Sequence, residues 1–94
     1  MLKPFNAIDA SSKGFQRSLR KFAERAMAED AILDMLLDPM PSRFDFKKLK
    51  KYKNPNIYSI TISGNHAFKI SFEIANEIAI LRRVGTHKQI DDNP

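Results

Sequence analysis

Apolar and polar residues alternate through the last third of the chain. Residues 56–62 read NIYSITI and residues 66–74 read HAFKISFEI. A period of two is that of a strand with one packed face and one polar face. Ser63, Gly64 and Asn65 lie between the runs, and turn residues there predict a β-hairpin. Residues 78–84, IAILRRV, follow Ala75, Asn76 and Glu77 and predict a third strand. On this register Tyr58, Ile60, Ile62, Phe68, Ile70, Phe72 and Ile74 share the face that packs. Ser59, Thr61, Ala67, Lys69, Ser71 and Glu73 share the opposite face, where water and chemistry are expected.

The first half carries a different period. Phe15, Leu19, Phe22 and Ala26 recur at helical spacing, with Arg17, Arg20, Lys21 and Glu24 around the other side. Asp9, Ser11 and Ser12 are candidate N-caps. Ala31, Ile32, Met35 and Leu36 continue the stripe as far as Asp38 and Pro39, where proline stops it. The stripe slips in phase between Arg25 and Asp30, which favours a two-helix hairpin over one long helix. Residues 2–9 predict a short first strand. Residues 40–56 predict a connector anchored by Phe44, Phe46 and Leu49. The pattern therefore predicts an α+β fold: an antiparallel sheet of three to four strands, ending in a C-terminal meander, on an N-terminal helical hairpin.

Ninety-four residues predict one domain spanning the chain. Apolar residues make up 43% and charged residues 29%, the balance of a globular rather than a disordered chain. No apolar run reaches the roughly 20 residues that cross a bilayer, and the first residues have no signal-peptide core, so a cytoplasmic protein without membrane contact is expected. There is no cysteine, which excludes disulfides and thiolate zinc sites. With two histidines and no HExxH, Walker A or GxSxG pattern, no metal and no cofactor are expected.

A net charge of +5 changes the picture, because it is clustered. Six cations, Arg43, Lys47, Lys48, Lys50, Lys51 and Lys53, fall within residues 43–53 and are interleaved with Phe44, Phe46 and Tyr52. Such a run offers phosphates an electrostatic footprint, and Tyr52 offers a base a stacking surface. The same run also suits a solvated loop. His87 follows Arg82, Arg83, Val84, Gly85 and Thr86. An imidazole titrates near neutrality and suits acid–base work, and Gly85 permits a turn beneath it. His66 shares the parity of Phe68, which favours a structural rim residue. Lys69, with Arg82 or Arg83, puts cations on the polar face. Cleavage of RNA by its own 2′-hydroxyl needs a base, an acid and cations around the phosphorane. Lysine, arginine and histidine can supply all three.

The order of these segments resembles the RelE/ParE superfamily of bacterial toxin–antitoxin toxins. FQRSLRKF with AILDMLLDP looks like its helical hairpin, FDFKKLKKYKNPNIYSITISGNHAFKISFEI like its connector and central hairpin, and LRRVGTH like its last strand. The resemblance implies a single toxin domain that acts as a ribosome-dependent, metal-independent mRNA endoribonuclease. It implies three partners: a cognate antitoxin protein, the ribosome with its mRNA, and operator DNA through the antitoxin complex only. Lys47, Lys48, Lys50 and Lys51 match the family's RNA-binding region, extended here by Lys53, Tyr52 and Arg82. Arg83 (or Arg82) matches the cation of the last strand, and His87 matches an acid or base used after a GTH-type turn. Two positions depart. The arginine common early in the third strand falls on Ala67, with Lys69 two residues on as a substitute; otherwise the chain is an inactivated form. Asp91 stands where related toxins often carry an aromatic, and an aspartate there would repel phosphate. The same fold serves a ParE-like gyrase inhibitor and an inactive antitoxin- and operator-binding module, so both stand as alternatives.

Overall fold

The computed structural model describes residues 5–63 and 67–94. In chain order these form β1 (Ala7–Asp9), α1 (Lys13–Lys21), α2 (Arg25–Asp34), a 3₁₀ turn (Ser42–Phe44), β2 (Lys47–Lys48), β3 (Tyr58–Thr61), β4 (Phe68–Ala75), β5 (Ile78–Thr86) and α3 (His87–Asp92). The fold is α+β. The sheet has five strands in the order β1-β5-β4-β3-β2, antiparallel except where β1 runs parallel to β5. It thus exceeds the three to four strands that alternation predicts. The first strand expected within residues 2–9 is the edge β1, and the strand the pattern does not predict is the opposite edge, β2, two residues long in the connector and too short to show a period. Residues 64–66, and with them the β3–β4 turn and His66, lie outside the described residues, as do residues 1–4 of the expected first strand.

The two-helix hairpin is present, with its break at residues 22–24, earlier than the phase slip indicates. Ser12 caps α1 by accepting the Phe15 N–H at 3.2 Å. Asp9 leads into that cap; hydrogen bonds from the Ser11 hydroxyl and N–H hold its carboxyl below the usual range. β1 covers β5 only as far as Ile80. Beyond it, α1 takes over the open edge. The Ser12 hydroxyl donates to the Leu81 carbonyl at 2.9 Å, and the Val84 N–H donates to Ser18 Oγ at 3.1 Å. Two serines thereby satisfy main-chain groups that a missing strand would leave open.

The helices pack on the expected face. Phe15, Met35, Ile60, Ile70, Phe72 and Leu81 are fully buried. Phe5, Phe46, Tyr58 and Phe72 form one aromatic cluster with centroids 5.6–6.3 Å apart. Phe44 and Phe46 anchor the connector, whereas Leu49 lies apart from this core and lines a pocket on the other side of the sheet. The stripe of α2 faces inward through Ala31, Ile32 and Met35 and ends there: the helix stops at Asp34, and Leu36, expected to continue it, is exposed.

The opposite face differs most from expectation. Ser59, Thr61, Lys69 and Ser71 are not solvated but buried, none more than 3% exposed. The cover is α3, a helix the sequence pattern did not predict, docked on β4 and β5 with Ile90 fully buried. Six residues are too few for a helix to persist alone in water. Burial of one isoleucine contributes roughly 1.5–3 kcal/mol toward holding it. The connector clamps α3 from above, the Tyr52 hydroxyl donating to the Asp91 and Asp92 carbonyls at 3.0 Å each. Among the described residues no helix is long and apolar enough to cross a membrane.

Candidate active site

Three local features assemble one cluster on the buried polar face. The first is a β-bulge. Ser71 pairs with Arg83, yet Phe72 pairs with Leu81, so Arg82 is an extra residue in β5. Leu81 and Val84 both point into the core three residues apart, and the two arginines between them share the opposite side. Arg82 donates to Glu73, an ion-pair partner, and to the main-chain oxygen of Pro94. Arg83 donates to the Asn93 carbonyl at 3.1 Å. Of the two, Arg83 is the one without a carboxylate partner among the described residues.

The second feature starts α3. Thr86 accepts the Gln89 N–H at 3.2 Å, and Gln89 Oε1 accepts the Thr86 N–H at 2.9 Å, a complete capping box. Gly85 serves here to leave room for the Gln89 side chain and not to make a left-handed turn, since no described glycine has positive φ. A Cβ on it would stand 2.6 Å from Gln89 Oε1. The cap places His87 in the first turn of α3, with half of its side chain exposed. Its N–H donates to the Ala67 carbonyl at 2.9 Å, extending the β4–β5 register by one pair. Ala67 therefore lies directly across from the histidine.

The third feature is Asp91, one turn after His87. Its Oδ1 accepts from Lys69 Nζ at 3.1 Å, and its Oδ2 lies 3.0 Å from His87 Nδ1. Lys69 is only 2% exposed, so this carboxylate is its counter-ion inside the fold. An aspartate here is expected to repel phosphate, yet the Lys69 ammonium lies 3.1 Å from its Oδ1 and offsets that charge. The spacing of His87 and Asp91, four residues apart behind a Thr-x-x-Gln capping box, is the signal that locates the contact.

Beside this cluster opens a cavity of about 360 Å³. Lys48, Lys50, Lys51 and Tyr52 line it together with Lys69 and Asp91. Lys47 also lines it while pairing with Asp45 at 3.4 Å. The connector lysines are exposed, so their charges reach any ligand there. The Tyr52 hydroxyl is engaged by α3, which leaves its ring as the available surface. Lys53, Arg82 and Arg83 do not line this cavity; both arginines line a second depression with Gly14 and Asn93. Structure thus unites the connector lysines, Tyr52 and Lys69, ties His87 to them through Asp91, and sets the two arginines apart. Among the described residues no group of three or more His, Asp or Glu is placed to hold a metal ion.

No family model, curated protein or solved structure matches this chain.

Proposed function

We propose that this chain is a RelE-like toxin, a ribosome-dependent and metal-independent endoribonuclease that cuts mRNA and stops translation. The observation that carries the reading is the junction of His87, Asp91 and Lys69 beside a cavity rimmed by Lys47, Lys48, Lys50 and Lys51. Lysines of the rim draw in phosphates, and the Tyr52 ring receives a base. His87 takes the 2′-hydroxyl proton, or returns a proton to the 5′ oxygen. The 2′ oxygen bonds to phosphorus as the bond to the 5′ oxygen breaks. Lys69, which lines the cavity, lowers the charge of the phosphorane, while Arg83 lies outside that cavity. The positive surface suits an acidic antitoxin segment, and operator DNA is reached through that complex.

The test is primer extension on mRNA held in translating ribosomes, with this chain and its Ala67→Arg form side by side. Cuts by both forms support an active nuclease in which Lys69 suffices. Cuts by the arginine form alone support a disarmed one.

One observation favours a second reading, a binding module without catalysis. Lys69 is buried against a carboxylate, and Ala67 carries no charge. Antitoxin binding without cleavage by either form would select it, and gyrase–DNA breaks in place of cut RNA would select a ParE-like inhibitor.

A further inference from the structure

An aspartate and a histidine four residues apart on a helix usually make a loose surface pair. Here the carboxylate is held from three sides. Lys69 Nζ, itself buried, fixes Oδ1. Tyr52 fixes the main chain through the Asp91 carbonyl. Ile90, fully buried, docks the helix turn that carries both residues. The carboxylate faces His87 Nδ1 at 3.0 Å and can only accept a hydrogen bond, so the contact favours the tautomer with its proton on Nδ1. That leaves Nε2 as the nitrogen with the free lone pair, on a ring half open to solvent. Free imidazole prefers the opposite tautomer.

From this geometry we infer that Asp91 is a positioning residue, which fixes the tautomer and direction of His87 so that Nε2 is the nitrogen that exchanges protons with RNA. The inference rests on the nuclease reading above. As base, Nε2 accepts the 2′-hydroxyl proton while the 2′ oxygen bonds to phosphorus. The resulting imidazolium keeps its Nδ1–H on Asp91, whose negative charge stabilises it. As acid, the same Nε2–H supplies the proton that the departing 5′ oxygen takes. Lys69 completes the set by holding Asp91 in place through Oδ1. Asp91 thus has a use at a position where an aromatic would serve a base.

The experiment joins two measurements. Nitrogen-15 NMR of the neutral imidazoles, with His87→Gln to assign the signal, reads the tautomer without any substrate. Single-turnover cleavage on ribosomes, in whichever of the Ala67 and Ala67→Arg forms cuts, reads the role. The unsubstituted protein should show His87 with its proton on Nδ1, and Asp91→Ala should shift it toward Nε2. Cleavage should fall on the order of a hundredfold, the cost of a misdirected catalytic group, in the rate and not in KM. Asp91→Glu should recover part of it. Should Asp91→Ala not fold, Asp91→Asn, which keeps the shape of the side chain and an oxygen for Lys69 but turns an amide donor toward Nδ1, gives the same two readings. A proton on Nε2 in the unsubstituted protein, a tautomer indifferent to Asp91, or a change confined to KM would overturn the inference with cleavage intact. Absence of cuts by every form overturns the nuclease reading and the role with it, even with the tautomer as expected.

Discussion

The His87 N–H donates to the Ala67 carbonyl at 2.9 Å, which makes the two residues cross-strand neighbours at the rim of the site. Ala67 has the parity of Lys69 and faces the same side of the sheet. On the proposed nuclease reading, an arginine there would stand beside the imidazole, where the phosphorane would form. Ala67→Arg should therefore raise ribosome-dependent cleavage about 10- to 100-fold, the equivalent of one charge-assisted hydrogen bond of roughly 1.5–3 kcal/mol. Primer extension at matched protein concentration measures it.

Connector lysines act through long-range charge and not through fixed geometry. Lys50 and Lys51 line the cavity and are exposed. Replacing both with alanine should weaken binding to a single-stranded RNA without changing the fold. The slope of log K against log salt should flatten by about 1.4, or about 0.7 per lost phosphate contact. Anisotropy titrations at four salt concentrations give that slope. An unchanged slope would place the RNA elsewhere.

Ser59 and Ser71 face each other across β3 and β4, both fully buried, and neither hydroxyl has a hydrogen-bond partner among the described residues. A buried hydroxyl without a partner costs about 1–3 kcal/mol in desolvation. Ser59→Ala and Ser71→Ala should each leave stability unchanged or raise it by up to about 1 kcal/mol, net of the small volume lost. Urea midpoints at constant m-value decide, and a clear loss would reveal a partner for these oxygens.

Gly85 and Gln89 form a tightly coupled pair. Gly85→Ala should push Gln89 off the Thr86 N–H, because the added Cβ would stand 2.6 Å from Oε1. The loss of half the capping box should cost about 1 kcal/mol. Gln89→Ala should cost a similar amount, and the double variant little more than either alone. Hydrogen exchange should report the damage in α3 first, since that helix depends on its cap and on Ile90.

Alternation in residues 56–62 and 66–74, with helical spacing from Phe15 to Phe22 and again from Ala31 to Met35, was enough to determine the α+β class, the helical hairpin and the face that packs. Those signals are local, because a strand or helix writes its period into its own residues. The basic connector was legible for the same reason, as six cations within residues 43–53. Tertiary structure alone decided the rest. β2, two residues long, is too short for a period and exists only as a pair with β3. The bulge at Arg82 came from the register of two strands, and it turned two adjacent arginines to one side. The polar face read as a solvated surface until α3 folded back over it. What covers a face depends on a segment distant in sequence, and Lys69 and Asp91, 22 residues apart, meet only once that segment docks.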